Sequence, residues 1–237
     1  MRNRSRTRNS GGEGFTLVEV MIVVGIIGAV AAIGAPAMET FMGDMRARSA
    51  ARSAADALRI ARTEAIRTGD PHIVFLSAAA AGNPPATDPA GTDLGVDPST
   101  GGPFPILVLR DAGDGAGGGS DCRISAGDAP QGIAAQRGVA WGSTVSGGTA
   151  APGDDPLVDH SSGSSFRTPG GATTTWVAFG PNGIPVGFDG ACNLGGVGSG
   201  GGAIYLTNGR RDYAIVLSPL GSVRVHMWNA GAGAWTN

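Results

Sequence analysis

The 237-residue chain has no lysine; all seventeen of its basic residues are arginine. That removes Schiff-base chemistry on a lysine and the phosphate-binding GxxxxGK[ST] loop, whose lysine reaches the terminal phosphates. Aromatic residues make up only 5% of the chain, so the core must be modest. Only two cysteines and three histidines are present; no CxxC and no Cys/His pairing with zinc spacing occurs. His72, His160 and His226 are far apart, and no motif sets a nucleophile beside any of them. Glycine (42) and proline (15) are plentiful instead, which predicts long loops.

What is present begins with one long hydrophobic run. From Val20 to Met38 no residue is charged, and a single acid, Glu19, stands before it. As a helix, Phe15–Met38 is about 36 Å long, enough to cross a hydrocarbon core of about 30 Å with some tilt. A plain transmembrane anchor is the simplest reading. Glu19 argues against it, because a carboxylate near membrane depth is expensive and usually has a partner.

Residues 1–14, MRNRSRTRNSGGEG, carry four arginines against Glu13, a net charge of +3. Arginines flanking an apolar span favour the cytoplasmic side. The expected orientation is N-terminus inside and the remainder of the chain outside. No A-x-A site comes directly after the run, so a conventional cleaved signal peptide fits poorly.

Gly14-Phe15-Thr16-Leu17-Val18-Glu19 resembles the processing site of type IV pilins and pseudopilins. The resemblance implies cleavage of the Gly14–Phe15 bond by a prepilin peptidase and N-methylation of Phe15. It also implies a role for Glu19 in assembly, its carboxylate pairing with a neighbour's terminal amine so that neither charge is buried alone. Pro36 matches a proline that kinks the stem in that family. Gly25, Gly28 and Gly34 would allow stems to approach closely.

Residues 39–70 read as a continuation of the helix, with an apolar stripe at Met38, Phe41, Met45, Ala51, Ala55, Leu58, Ala61 and Ala65. Arg46, Arg48, Arg52, Arg59, Arg62 and Arg67 fill the other faces and read as a solvated set. Thr68-Gly69-Asp70-Pro71 ends the helix with a glycine cap and a proline.

From His72 the pattern turns to short strand-like runs: His72–Ser77, Ile106–Arg110, Gly138–Trp141, Thr174–Phe179, Ile184–Phe188, Ala203–Thr207, Tyr213–Ser218 and Ser222–Trp228. Pro181-Asn182-Gly183 and Pro219-Leu220-Gly221 are tight-turn signals. Short turns between closely spaced strands predict antiparallel hairpins. The expected fold is α+β, a pilin-like arrangement in which a long N-terminal helix packs on antiparallel β-sheets with long Gly-rich loops. Those loops are Ala78–Pro105, Asp111–Ser120, Ser143–Gly171 and Asp189–Gly202, and their composition predicts mobility.

The segments Trp176–Gly183 and Gly209–Arg224, with the helix segment Ala50–Thr68, resemble the H-type minor pseudopilins of type II secretion systems and the related FimT-type minor pilins. The implied organisation is a prepilin leader (1–14), a transmembrane helix (15–38), its amphipathic continuation (39–70) and a periplasmic β-rich domain (71–237). The implied role is a non-enzymatic subunit without cofactor, single-pass in the bacterial inner membrane and assembled into a periplasmic pseudopilus. Its partners would be prepilin peptidase, other pseudopilins or pilins, membrane lipid and secreted cargo. The alternative is a FimT-type minor pilin serving type IV pilus biogenesis or DNA uptake. Residues 71–237 carry seven arginines and twelve acids, which argues against general DNA binding. Arg210, Arg211 and Arg224, with only Asp212 between them in charge, form the candidate DNA or partner patch.

Outside the cytoplasm the pair Cys122 and Cys192 suggests a disulfide, with two free thiols as the alternative. Asp111, Asp114 and Asp121 could be read as an oxygen-ligand calcium loop, but their spacing departs from the EF-hand pattern. Gly113, Gly115 and Gly118 form a GxGxxG with no helix pattern after it, so the dinucleotide-binding reading fails in context.

Overall fold

The computed structural model describes residues 15–76, 104–111, 113, 120–124, 128, 130–134, 136–156, 160 and 163–237, with the side chains at 33 and 35–37 left out. It divides into two units, Met1–Met42 and Gly43–Asn237. One helix, α1 (Leu17–Thr68), contributes to both.

In the first unit Thr16 caps the helix, its Oγ1 accepting from Glu19 N at 3.2 Å. Every described side chain from Phe15 to Met42 is exposed, although most are apolar. Among the described residues no helix is long and apolar enough to cross a membrane. The side chains at 33 and 35–37 interrupt the described part of the Val20–Met38 run. The helix continues through Pro36 in its assignment.

The second unit is α+β. Its strands are β1 (His72–Leu76), β2 (Ile106–Arg110), β3 (Gln131–Ile133), β4 (Ala140–Trp141), β5 (Trp176–Phe179), β6 (Pro185–Val186), β7 (Gly202–Thr207), β8 (Asp212–Leu217), β9 (Val223–Asn229) and β10 (Ala234–Thr236). They form two antiparallel sheets, ordered β3-β2-β1-β5-β6 and β10-β9-β8-β7-β4.

Strands alternate faces, and here both faces of each sheet are covered. Val74, Leu76, Val108, Val177 and Phe179 of the first sheet share one core with Ile204, Leu206, Tyr213, Ile215 and Leu217 of the second. Helix α1 enters that core through Ala47, Ala51, Ala54, Leu58, Ala61 and Ala65. Steps of three and four keep these residues on one face, and alanine lets the backbones come close. The amphipathic stripe therefore starts at Ala47. Met38, Phe41 and Met45 of the expected stripe are exposed, at 59%, 63% and 54%. They precede the first helical residue that the sheet core buries.

The other face of the first sheet, Ile73, Phe75, Leu107, Leu109 and Ala178, lies under Phe188, Cys122 and Cys192. The other face of the second, Ala203, Tyr205, Ala214 and Val216, lies under Ala151 and Trp235. Described residues of the Ser143–Gly171 loop accordingly cover the second sheet.

Helix α1 stops at Thr68 as expected; Gly69 follows at φ 77° and its N–H donates to Ala65 O at 3.0 Å. Several strand bounds shift by a residue or two. Three strands are shorter than expected by two residues or more: Gly138–Trp141 contracts to β4, because Gly138 turns at φ 77°, Thr174–Phe179 contracts to β5, and Ile184–Phe188 contracts to β6. Residues 77–103, hence Ser77 and nearly all of the Ala78–Pro105 loop, lie outside the described residues.

Candidate functional site

Gly14 lies outside the described residues. Phe15 is 83% exposed, beside the helix start. Thr16 and Glu19 occupy the N-cap and third helical position, the two ends of an S/T-x-x-E capping signature. That pattern was readable in the sequence, but the bond the structure shows uses the Glu19 backbone amide and not its carboxylate. A carboxylate there also opposes the positive end of the helix dipole.

Cys122 and Cys192 are joined by a disulfide, with Cα atoms 5.5 Å apart. It ties the 120–124 segment to the 189–193 turn over the outer face of the first sheet. Asp111, the first acid of the calcium-loop pattern whose spacing did not fit, is buried and accepts from Ser120 Oγ (2.5 Å) and Cys122 N (2.9 Å). Among the described residues no group of three or more His, Cys, Asp or Glu could hold a metal ion; Asp114 lies outside them, as do Gly115 and Gly118. In the facing turn Asp189 accepts from Asn193 Nδ2 and from the Asn193 and Ala191 amides, all at 2.9 Å. The bond from the Asn193 side chain, with the backbone donors, holds its pKa below the usual carboxylate range.

The structure separates the three arginines read as one patch. Arg210 and Arg211 sit in the β7–β8 turn. Arg224 sits in β9 opposite Val216, on the order of 15 Å along the ladder from that turn. Arg211 pairs with Asp44 of α1 at 3.0 Å. Asp212 is wholly buried, its Oδ2 accepting from the amides of Thr144 (3.0 Å), Val145 (2.8 Å) and Ser146 (2.7 Å). It therefore anchors the covering loop and does not neutralise the arginines. Arg210 and Arg211 instead border an open groove of about 430 Å³ with Trp228 and Asn229, a cation-plus-aromatic arrangement that sequence spacing did not reveal.

His72 and His226 lie in β1 and β9 as expected. Burial, then the Arg224 charge, pushes the His226 pKa below its ordinary value. His160 is buried in the covering loop with Nε2 3.2 Å from Asp154 Oδ2. Asp154 also accepts from Ser165 Oγ and Tyr205 Oη, both at 2.6 Å. Although Ser, His and Asp meet here, the carboxylate is the hub. Ser165 Oγ is spent on Asp154 and on Ala203 N at 2.7 Å, so in this cluster His160 is not set against the Ser165 hydroxyl. Burial, together with the neighbouring Asp154 charge, raises the Tyr205 phenol well above its ordinary value. The cluster locks the loop to the sheet.

No protein-family model, curated protein or solved structure matches the chain.

Proposed function

We propose that the chain is a minor pseudopilin of a bacterial type II secretion system. It is cut between Gly14 and Phe15, methylated on the Phe15 amine, and held in the inner membrane by residues 15–38. It then assembles through its Phe15–Glu19 end into a periplasmic pseudopilus. The observation that carries this reading is the stretch of α1 from Val20 to Met38, uncharged and with every described side chain exposed, directly behind Gly-Phe-Thr-Leu-Val-Glu. A helix that is hydrophobic all round needs lipid or other helices around it. In this reading the protein works by assembly and carries no reaction.

The test is the mass of the N-terminal peptide of the membrane-inserted protein. A methylated Phe15 terminus is expected. An intact Met1 terminus, in a host with an active prepilin peptidase, would reduce the segment to a plain anchor.

The groove at Arg210, Arg211 and Trp228 favours a second reading, a FimT-type minor pilin that contacts DNA. Arginine can meet phosphate while an aromatic ring stacks on a base. Binding of single-stranded DNA by the full chain in detergent, falling steeply with salt and lost in Arg210→Ala, is expected under that reading.

A further inference from the structure

The second sheet has an edge that β10 covers only in part. β10 pairs with Met227–Asn229. Among the described residues, no strand pairs with Val223–His226 on that side. Which amides face it follows from the β8–β9 ladder. Ser218 N donates to Ser222 O at 2.9 Å, and hydrogen bonding alternates along an antiparallel pair. Ser222, Arg224 and His226 therefore turn their backbone groups toward β8, and Val223 and Val225 turn theirs outward. Exposed edges of this kind are usually blunted by charge, proline or a covering element.

Beside this edge lies an open groove of about 360 Å³ whose other wall is α1. Arg48, Arg52 and Arg59 run along that wall on one helix face. Tyr213, Val225, His226 and Met227 form the sheet side, and the C-terminal Asn237 borders the groove at the end of β10. Arg59 is held by Asp56 at 2.9 Å. Arg48 and Arg52 have no acidic partner among the described residues, whereas Arg67, Arg110, Arg167 and Arg211 each have one.

We propose that the groove takes an extended acidic segment of a partner protein, added as a strand to the Val223–Val225 edge with its carboxylates on Arg48 and Arg52. The edge offers both N–H and C=O groups. A polypeptide backbone answers both, whereas phosphate only accepts. Spacing agrees as well: residues four apart on a helix rise about 6 Å, close to the roughly 6.8 Å between alternate residues of a strand. A segment with carboxylates at every second position would thus present them to the two arginines in turn. This inference does not depend on N-terminal processing, and its test fails or succeeds separately.

The probe is a fluorescein-labelled Thr-Glu-Val-Glu-Val-Thr peptide, titrated by anisotropy against the full chain in detergent micelles. Saturable binding is expected, weakened about tenfold or more in Arg48→Glu/Arg52→Glu and with glutamine in place of both glutamates. Arg224→Glu, on the opposite face of the same strand, should leave it unchanged. In the unmodified protein, hydrogen exchange at the Val223 and Val225 amides should slow when the peptide is added. Equal binding of the glutamine peptide, indifference to the arginine substitutions, or unchanged exchange at both amides would overturn the proposal. So would tighter binding of oligothymidylate at the same arginines, or self-association that the peptide blocks, which would give the groove to nucleic acid or to a second copy.

Discussion

Tyr205 Oη donates a 2.6 Å hydrogen bond to Asp154 Oδ2 and accepts from Ala151 N at 3.0 Å, so one phenol joins β7 to the loop that covers it. Tyr205→Phe leaves the Ala151 amide unmet in a buried site. The expected loss is about 1–3 kcal/mol in denaturant unfolding. The alkaline limb supplies a second signature. Because the folded state raises the phenol's pKa, the unfolded chain loses its proton first. Stability from this group is complete below the ordinary tyrosine value of about 10 and declines above it, by up to about 1.4 kcal/mol per pH unit. The advantage of the wild type over Tyr205→Phe should therefore shrink as pH rises past that point.

Asp212 gathers three successive backbone N–H groups from Thr144, Val145 and Ser146 onto one carboxylate oxygen. Asp212→Ala would leave three donors without their acceptor at the head of the covering loop. A loss of about 2–4 kcal/mol is expected, with faster hydrogen exchange at those three amides ahead of the rest of the domain.

The strands that were legible in the sequence include Thr174–Phe179 and Ser222–Trp228, which become β5 and β9, and the continuous apolar runs HIVFL, ILVLR, AIYLT and YAIVL. Such runs also imply that both sheet faces are covered, which leaves glycine-rich loops as the available covers. Composition concealed this, since Ser143–Gly171 holds few large apolar residues and is held by Asp212 and Asp154 through hydrogen bonds. β3 and β10 were not legible, being three residues long with little apolar run. The Asn-Ala-Gly-Ala-Gly stretch before Trp235 was an overlooked turn signal for β10. Arg224 was grouped with Arg210 and Arg211 by sequence distance. The Pro219-Leu220-Gly221 hairpin already placed it beyond the turn, along the strand.

Both tight turns dock on one helical arginine. Arg62 Nη1 donates to Gly221 O at 2.9 Å, and Gly183 and Gly221 adopt φ of 70° and 81°. A Cβ at Gly183 would come within 2.5 Å of the Ile66 Cδ1 atom, the end of a side chain that can rotate. A Cβ at Gly221 would come within 2.8 Å of Gly183 O, which is backbone. Thermal unfolding should show Gly183→Ala costing about 1 kcal/mol and Gly221→Ala about 2–3 kcal/mol.

His226 carries the acid-side counterpart. Its pKa is depressed first by burial and then by Arg224. Stability from this group is present above the ordinary histidine value of about 6.5 and is lost as pH falls below it, because the unfolded chain takes up the proton first. Removing the second cause in Arg224→Ala should raise the midpoint of the His226 ring titration by NMR. Burial should still hold it below the ordinary value.

Glu19 has two roles to separate. Its amide donates to Thr16 Oγ1, a capping arrangement in which glutamine serves as well as glutamate at the third position. Pairing with a neighbour's terminal amine needs the charge. Glu19→Gln therefore keeps the cap and removes the charge, while Thr16→Ala removes the cap, worth about 1 kcal/mol, and keeps the charge. If charge pairing drives assembly, Glu19→Gln should be processed at Gly14–Phe15 yet absent from sheared filament fractions, and Thr16→Ala should still enter them. The opposite pattern, with Thr16→Ala excluded and Glu19→Gln incorporated, would make the Thr16 cap the requirement in place of the Glu19 charge and leave assembly to the apolar stem alone.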